Sequence, residues 1–275
     1  MSNLSLRIIT AIFLIPFVIF LINGNLLILK IALNIVAFLI SKEIHDIIFN
    51  KNHNYLLYLS LLIFYPIIAF NQEKSWILVF VCLFIMQLNI LFSKKSSLEY
   101  IQNVSTYIFF CLYAFIGISS IFWLRSLSDE SDPQIGIGLT FIVLISTWLN
   151  DSFAYFTGRL FGKTPLFLSV SQKKTWEGFF GGAIFTILGI IAMIICIKNY
   201  FPLCSLNVPL QDALWISIPC VVIAPIGDLI ESKFKRLYNV KDSSGILPGH
   251  GGIFDRVDSL LVVFPWSCIY AFIIR

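Results

Sequence analysis

Between Ser232 and Asp258 the chain crowds Lys233, Lys235, Arg236, Lys241 and Arg256 together with Asp242, Asp255 and Asp258 around a Pro248-Gly-His-Gly-Gly252 turn. Most of the remaining chain is apolar, so a polar block this dense between two apolar runs does not exist for packing. Lysine and arginine take phosphate. Hard carboxylate oxygens suit Mg²⁺, which uses one or two of them and completes its shell with substrate phosphate and water. The backbone N–H groups of a glycine-rich turn can cradle an anion. Together these are the parts of phosphoryl or nucleotidyl transfer. Asp255 and Asp258 lie three apart and are expected to face the same way as they open the last helix. His250 is not a preferred Mg²⁺ ligand and is read, with Gly251 and Gly252, as a substrate contact or a plain hydrogen-bond donor.

Three upstream segments add to this block. Asn150-Asp151 sits near the inner end of an apolar helix, where an ionisable group is costly and marks a functional-site candidate. The alternative is local pairing of Asp151 with Arg159 or Lys163. Ser171-Gln-Lys-Lys-Thr-Trp-Glu-Gly178 places Lys173 and Lys174 before a helix expected to start at Thr175, a good N-cap residue. Two lysines beside free N–H groups attract phosphate, or equally anionic lipid head groups. In Pro225-Ile-Gly-Asp-Leu-Ile-Glu-Ser-Lys-Phe-Lys-Arg236, Asp228, Ser232 and Arg236 recur every four residues and share a helix face, with Glu231 one turn from Asp228. A carboxylate at that depth wants a cation, either a divalent metal or a lysine of the same or another helix.

The elements that must hold these groups are membrane helices. The chain has 275 residues, 58% hydrophobic and 12% charged, against about 25% charged in ordinary soluble domains. With a mean hydropathy of +0.89, the expectation is an all-α, polytopic integral membrane protein. The +4 net charge gives no reason to expect nucleic-acid binding. The six cysteines have no C-x-x-C spacing, so neither a zinc site nor a disulfide framework is expected. A spanning helix needs about 20 mostly apolar residues, which yields about nine candidates: Leu6–Ile22, Leu26–Ile40, Tyr55–Phe70, Trp76–Phe92, Val104–Leu124, Ile135–Phe156, Phe179–Ile197, Leu210–Leu229 and Leu260–Ile274. In the first, Arg7 stands ahead of an apolar run from Ile8 to Ile22 with no small-x-small cleavage site after it, so it is read as a retained helix. With a cytoplasmic N-terminus, most lysines and arginines fall on inside segments, including both chemistry-bearing loops, and the acidic loop at Asp129, Glu130 and Asp132 falls outside. The chain is read as one membrane domain, with residues 1–134 poor in motifs and residues 135–275 carrying the catalytic helices and loops.

The run Ser232-x-Phe-Lys-Arg-x4-Lys-Asp-x-Ser-x2-Leu-Pro-x-His-Gly-Gly-Ile-x-Asp-Arg-Val-Asp258 resembles the signature of the phosphatidate cytidylyltransferases, with no departure across it. The upstream segments from Asn150-Asp-Ser-Phe-Ala-Tyr and from Ser171-Gln-Lys-Lys-Thr-Trp-Glu-Gly are similar to that family too. Asn150 departs, standing where a small residue is expected. The resemblance is specific from about Thr147 to Leu260. It implies a homodimeric enzyme of the bacterial inner membrane that makes CDP-diacylglycerol and pyrophosphate from CTP and phosphatidate with Mg²⁺. It also implies that Asp228 and Asp255 bind metal.

On that reading Asp228 and Asp255 hold metal, with Asp258 and Asp151 in support and a second cation left open. Lys173, Lys174, Lys241 and Arg256 take phosphates. Lys235 and Arg236, nearer the bilayer, take the lipid phosphate or the leaving pyrophosphate, and Ser232 lies on the same substrate face. A CTP-dependent lipid kinase is the nearest rival. It would need a general base for its alcohol nucleophile, and none is evident. A transporter calls for ionisable groups or broken helices at mid-membrane, whereas here the charges gather on one face. A structural scaffold would leave Asp255, Asp258 and the Gly-His-Gly-Gly turn without a purpose.

Overall fold

The computed structural model describes residues 3–50, 98–128, 134–167, 171–200 and 208–274. Two of the expected spans, Tyr55–Phe70 and Trp76–Phe92, and the acidic loop lie outside these. The described elements, in chain order, are α1 (Asn3–Asn23), α2 (Leu26–Phe49), α3 (Leu98–Arg125), α4 (Ile135–Phe161), β1 (Pro165–Phe167), β2 (Ser171–Thr175), α5 (Trp176–Tyr200), α6 (Leu210–Leu237), α7 (Phe254–Val257) and α8 (Leu260–Ile274). They form two compact units. One comprises residues 1–119 and 238–256, the other residues 120–237 and 257–275.

Helix starts follow local chemistry. Asn25 caps α2, its side chain accepting from Leu27 N at 2.7 Å. Thr175 caps α5 as its residue type foretold, Oγ1 accepting from Gly178 N at 3.2 Å. The second expected helix continues past Ile40 to Phe49, and Asn50 closes it in the left-handed conformation (φ 50°). This extension carries Ser41, Glu43 and His45, all buried. The His45 ring stands edge-on to Tyr107 at 5.7 Å.

The chain is mostly helical, as the all-α expectation has it, with one short hairpin added. Ser171–Thr175 is a strand, paired antiparallel with β1, Pro165 opposite Thr175 and Phe167 opposite Ser171. Lys173 and Lys174 lie just before the helix start, as expected, but on a strand. A strand sends successive side chains to opposite faces: Lys173 is exposed and Lys174 is half-buried.

In the second unit α4 is the central helix. Over their apolar windows α4 is 56% buried and α5 only 22%, so α5 is the outer of the two. Its exposed Phe180, Ile184, Leu188 and Ile195 form an apolar stripe that a water-soluble protein would not leave bare. Four described helices, α3, α4, α5 and α6, are long and apolar enough to cross a membrane. The chain is an integral membrane protein.

Helix α8 approaches α6 closely at Gly227. A Cβ there would lie 2.7 Å from both the Asp258 carbonyl oxygen and Val262 Cγ2. The glycine thus lets the chain carrying Asp258 lie directly against the helix carrying Asp228. Gly227→Val should cost about 1–3 kcal/mol by overpacking, read as a lower unfolding temperature in detergent, with activity lost well below that temperature.

Candidate active site

In the second unit, the C-terminal part of α6 presents Asp228 and Glu231, and the turn before α8 presents Asp258. Each offers a carboxylate oxygen, and the three oxygens lie within 4.8 Å of one another. Asp228 Oδ2 is 2.5 Å from Lys174 Nζ of β2, and Ser232 Oγ, one turn along, donates to Asp228 Oδ1 at 3.1 Å. Glu231, nearly fully buried, pairs with Lys235 Nζ at 2.7 Å across one helical turn. The lysine that pairs with Asp228 is on a strand, neither Lys235 nor a group of another helix as expected from sequence. Lys235 serves Glu231 instead.

Burial and then the Asp228 charge push the Asp258 carboxyl up to about 7, with a smaller push from Asp151; the Ser259 N–H and Lys174 pull the other way. The Ser259 N–H donates to Asp258 Oδ1 at 2.8 Å. Three converging carboxylates, one pushed towards protonation by its neighbours, are a donor set that a small divalent cation fits: hard oxygens whose mutual repulsion a cation would relieve. Asp151, Lys174, Asp228, Ser232, Lys235 and Asp258, all expected from sequence, thus belong to one neighbourhood. Arg236 and Lys173 belong to the same unit and are exposed. Glu231 is the member that sequence reasoning noticed but left out of the metal set. Its i, i+3 spacing from Asp228 was the available signal.

Glu177 also has a defined task in this unit. Its carboxylate accepts from the backbone N–H groups of Lys163 and Thr164 at 3.1–3.2 Å. It thereby ties the start of α5 to the connection leaving α4.

The glycine-rich loop belongs to the other unit. Asp255 Oδ2 accepts from Ser243 N at 2.9 Å and from Gly252 N at 2.8 Å, so this carboxylate draws the two ends of the loop together. The loop turns through Gly249 and Gly251 at φ 75° and 82°, and Leu247 and Gly251 form an antiparallel bridge. His250 N donates to Leu247 O at 2.9 Å. Ile253 N and Phe254 N donate to Glu43 at 2.9 and 2.8 Å. The sequence reading placed phosphate on the N–H groups of this turn. The structure has those of His250, Gly252, Ile253 and Phe254 donating within the unit. Lys241 and Arg256, both exposed at the two ends of the loop, are the groups left facing outward. Glu43 was missed altogether, because nothing local marks it.

A family model described as "Cytidylyltransferase family" matches residues 5–274. The chain belongs to the cytidylyltransferase family. Relatives within it include a Haemophilus influenzae protein, 38% identical over 182 residues, covering 66% of this chain and 60% of the relative. A Bacillus subtilis protein is 34% identical over 197 residues, covering 70% and 66%. A Staphylococcus haemolyticus protein is 40% identical over 158 residues, covering 57% and 56%. Each of the three carries the name phosphatidate cytidylyltransferase. The chain spans between 56% and 66% of the length of these cytidylyltransferase relatives.

Proposed function

We propose that this protein is a phosphatidate cytidylyltransferase that joins CTP to phosphatidate, giving CDP-diacylglycerol and pyrophosphate. The observation that carries this reading is the carboxylate cluster of Asp228, Glu231 and Asp258, edged by Lys174 and Lys235, in a member of the cytidylyltransferase family. The relatives' names supply the substrates.

The chemistry asks little of a base. Phosphatidate is a phosphomonoester with a second pKa of about 6, so it is already largely dianionic at pH 7. One of its oxygens attacks the α-phosphorus of CTP. A new P–O bond forms, the bond to the bridging oxygen between the α- and β-phosphorus breaks, and pyrophosphate leaves with that electron pair. The barrier lies in bringing two polyanions together and in the charge that builds on the leaving group. Lysine and arginine do both: Lys174 and Lys235 beside the cluster, Lys173 and Arg236 exposed in the same unit, and Lys241 and Arg256 flanking the glycine-rich loop. Asp228, Glu231 and Asp258 in the one unit are the groups that would hold Mg²⁺, Asp255 is the carboxylate that the loop of the other unit would offer, and a second cation is left open. Bound there, Mg²⁺ would neutralise phosphate charge in the approach and the departure. Asp151 supports by its charge near Asp258. His250, Gly251 and Gly252 shape the loop that meets the nucleotide.

The lipid substrate places the reaction at the bilayer, and the nucleotide places the site on the cytoplasmic face of a bacterial inner membrane. The arrangement of about nine spans with the N-terminus inside, the single membrane domain and the homodimer stand as part of the same reading.

The test is a titration of detergent-solubilised protein with Mg²⁺ in the presence of CTP and phosphatidate. Pyrophosphate release should require all three and stop on chelation by EDTA. Release without phosphatidate, or undiminished turnover in EDTA, would refute the reading. Accumulation of CDP in place of pyrophosphate would mark a lipid kinase.

A further inference from the structure

Glu43 lies near the end of α2 and is only 2% exposed. Its Oε1 accepts from Ser244 Oγ at 2.6 Å and Ile253 N at 2.9 Å. Its Oε2 accepts from Ser243 Oγ at 3.0 Å and Phe254 N at 2.8 Å. Each oxygen takes one hydroxyl from the front of the glycine-rich loop and one backbone N–H from its back. A carboxylate has about four lone-pair sites, so the set saturates it. Gly252 makes the approach possible, since a Cβ there would lie 2.7 Å from both carboxylate oxygens.

No side chain other than a carboxylate of this reach completes the set. Glutamine would turn an NH₂ towards one of the two backbone N–H groups, which cannot accept. Aspartate keeps the charge but is one methylene short. The groups expected to meet CTP project from the two ends that Glu43 joins, Lys241 just before Ser243 and Asp255 with Arg256 just after Phe254. We propose that Glu43 is a positioning residue of the nucleotide site: it holds the Ser243–Phe254 loop in the one geometry that aims Lys241, Asp255 and Arg256 at CTP. This rests on the cytidylyltransferase reading for its substrate, while the anchoring itself is independent of it.

Two measurements on full-length protein in detergent, wild type against Glu43→Gln and Glu43→Asp, separate these parts. Hydrogen–deuterium exchange of the peptide covering 243–256 should accelerate by about tenfold or more in both variants, as expected for losing a charge-assisted hydrogen bond. Peptides from α4 should be unchanged. The KM for CTP should rise by about tenfold, with the KM for phosphatidate unmoved. A merely structural Glu43 would lower the yield of folded protein and leave the KM for CTP alone. If exchange in 243–256 is unchanged in both variants, the anchoring is wrong. If exchange accelerates while the KM for CTP stays at the wild-type value, the positioning role is wrong. If wild type never consumes CTP but the variants still free the loop, the anchoring holds and the assigned reaction falls. Should Glu43→Gln not accumulate, Ser244→Ala removes the 2.6 Å bond to Glu43 together with the bond from Ile246 N to the same hydroxyl and should shift both readouts in the same direction, by less.

Discussion

Asp255→Asn should lower turnover at least about 10³-fold while leaving the protein folded, the scale seen when one preorganised electrostatic group is removed from an active site. The geometry makes this a clean test of charge. The Asp255 Oδ2 accepts from Ser243 N and Gly252 N, and the amide oxygen of asparagine can accept the same two bonds. The loop then keeps its shape while the negative charge is gone. Asp255→Ala removes the acceptor as well, leaves two N–H groups without their partner and should free the loop in addition. The comparison is read as kcat at saturating CTP together with exchange over 243–256. Wild-type kcat in Asp255→Asn would mean the carboxylate only braces the loop, and the metal role would pass wholly to the other cluster.

The second large effect is at Asp228. Asp228→Asn should cost about 10²- to 10³-fold in turnover and should not be rescued by raising Mg²⁺. It acts on several groups at once. Lys174 loses its ion partner at 2.5 Å, and the set proposed to hold Mg²⁺ loses one of three converging carboxylates. The repulsion that helps push Asp258 up to about 7 is relieved at the same time, so the fold itself should be unharmed or slightly firmer. Glu231→Gln is the informative companion. It strips Lys235 of its carboxylate at 2.7 Å in a buried place, so it should lower stability as well as rate. An Asp228→Asn protein with normal turnover and normal Mg²⁺ dependence would remove the cluster from the mechanism.

What could be read from sequence divides along physical lines. The capping threonine before α5, the shared face of Asp228, Glu231 and Ser232 and the long apolar helices are local signals, set by residue type and by 3.6-residue spacing, and they were legible. The strand at Ser171–Thr175 was not. Five polar residues, Ser-Gln-Lys-Lys-Thr, show no apolar alternation, and only pairing with Pro165–Phe167 makes them a strand. That pairing then splits Lys173 from Lys174, which a helix-start reading had joined. Glu43 was illegible for a related reason. It follows Ile40 in a Ser-Lys-Glu-Ile-His-Asp stretch that reads as the polar end of a membrane helix. Its partners lie 200 and more residues away in sequence. The N–H groups of the Gly-His-Gly-Gly turn were assigned to phosphate on composition, and composition does not show that those of His250 and Gly252 find acceptors within the loop, in Leu247 O and Asp255 Oδ2.

The claim that the reaction is cytidylyl transfer is tested most directly by following the label of CTP carrying ³²P at the α position, beside CTP carrying it at the γ position. Purified protein would be given phosphatidate and Mg²⁺. The account predicts that α label moves into an organic-extractable lipid and γ label into pyrophosphate, in equal amounts. Label from the γ position in the lipid, with none from the α position, would contradict it.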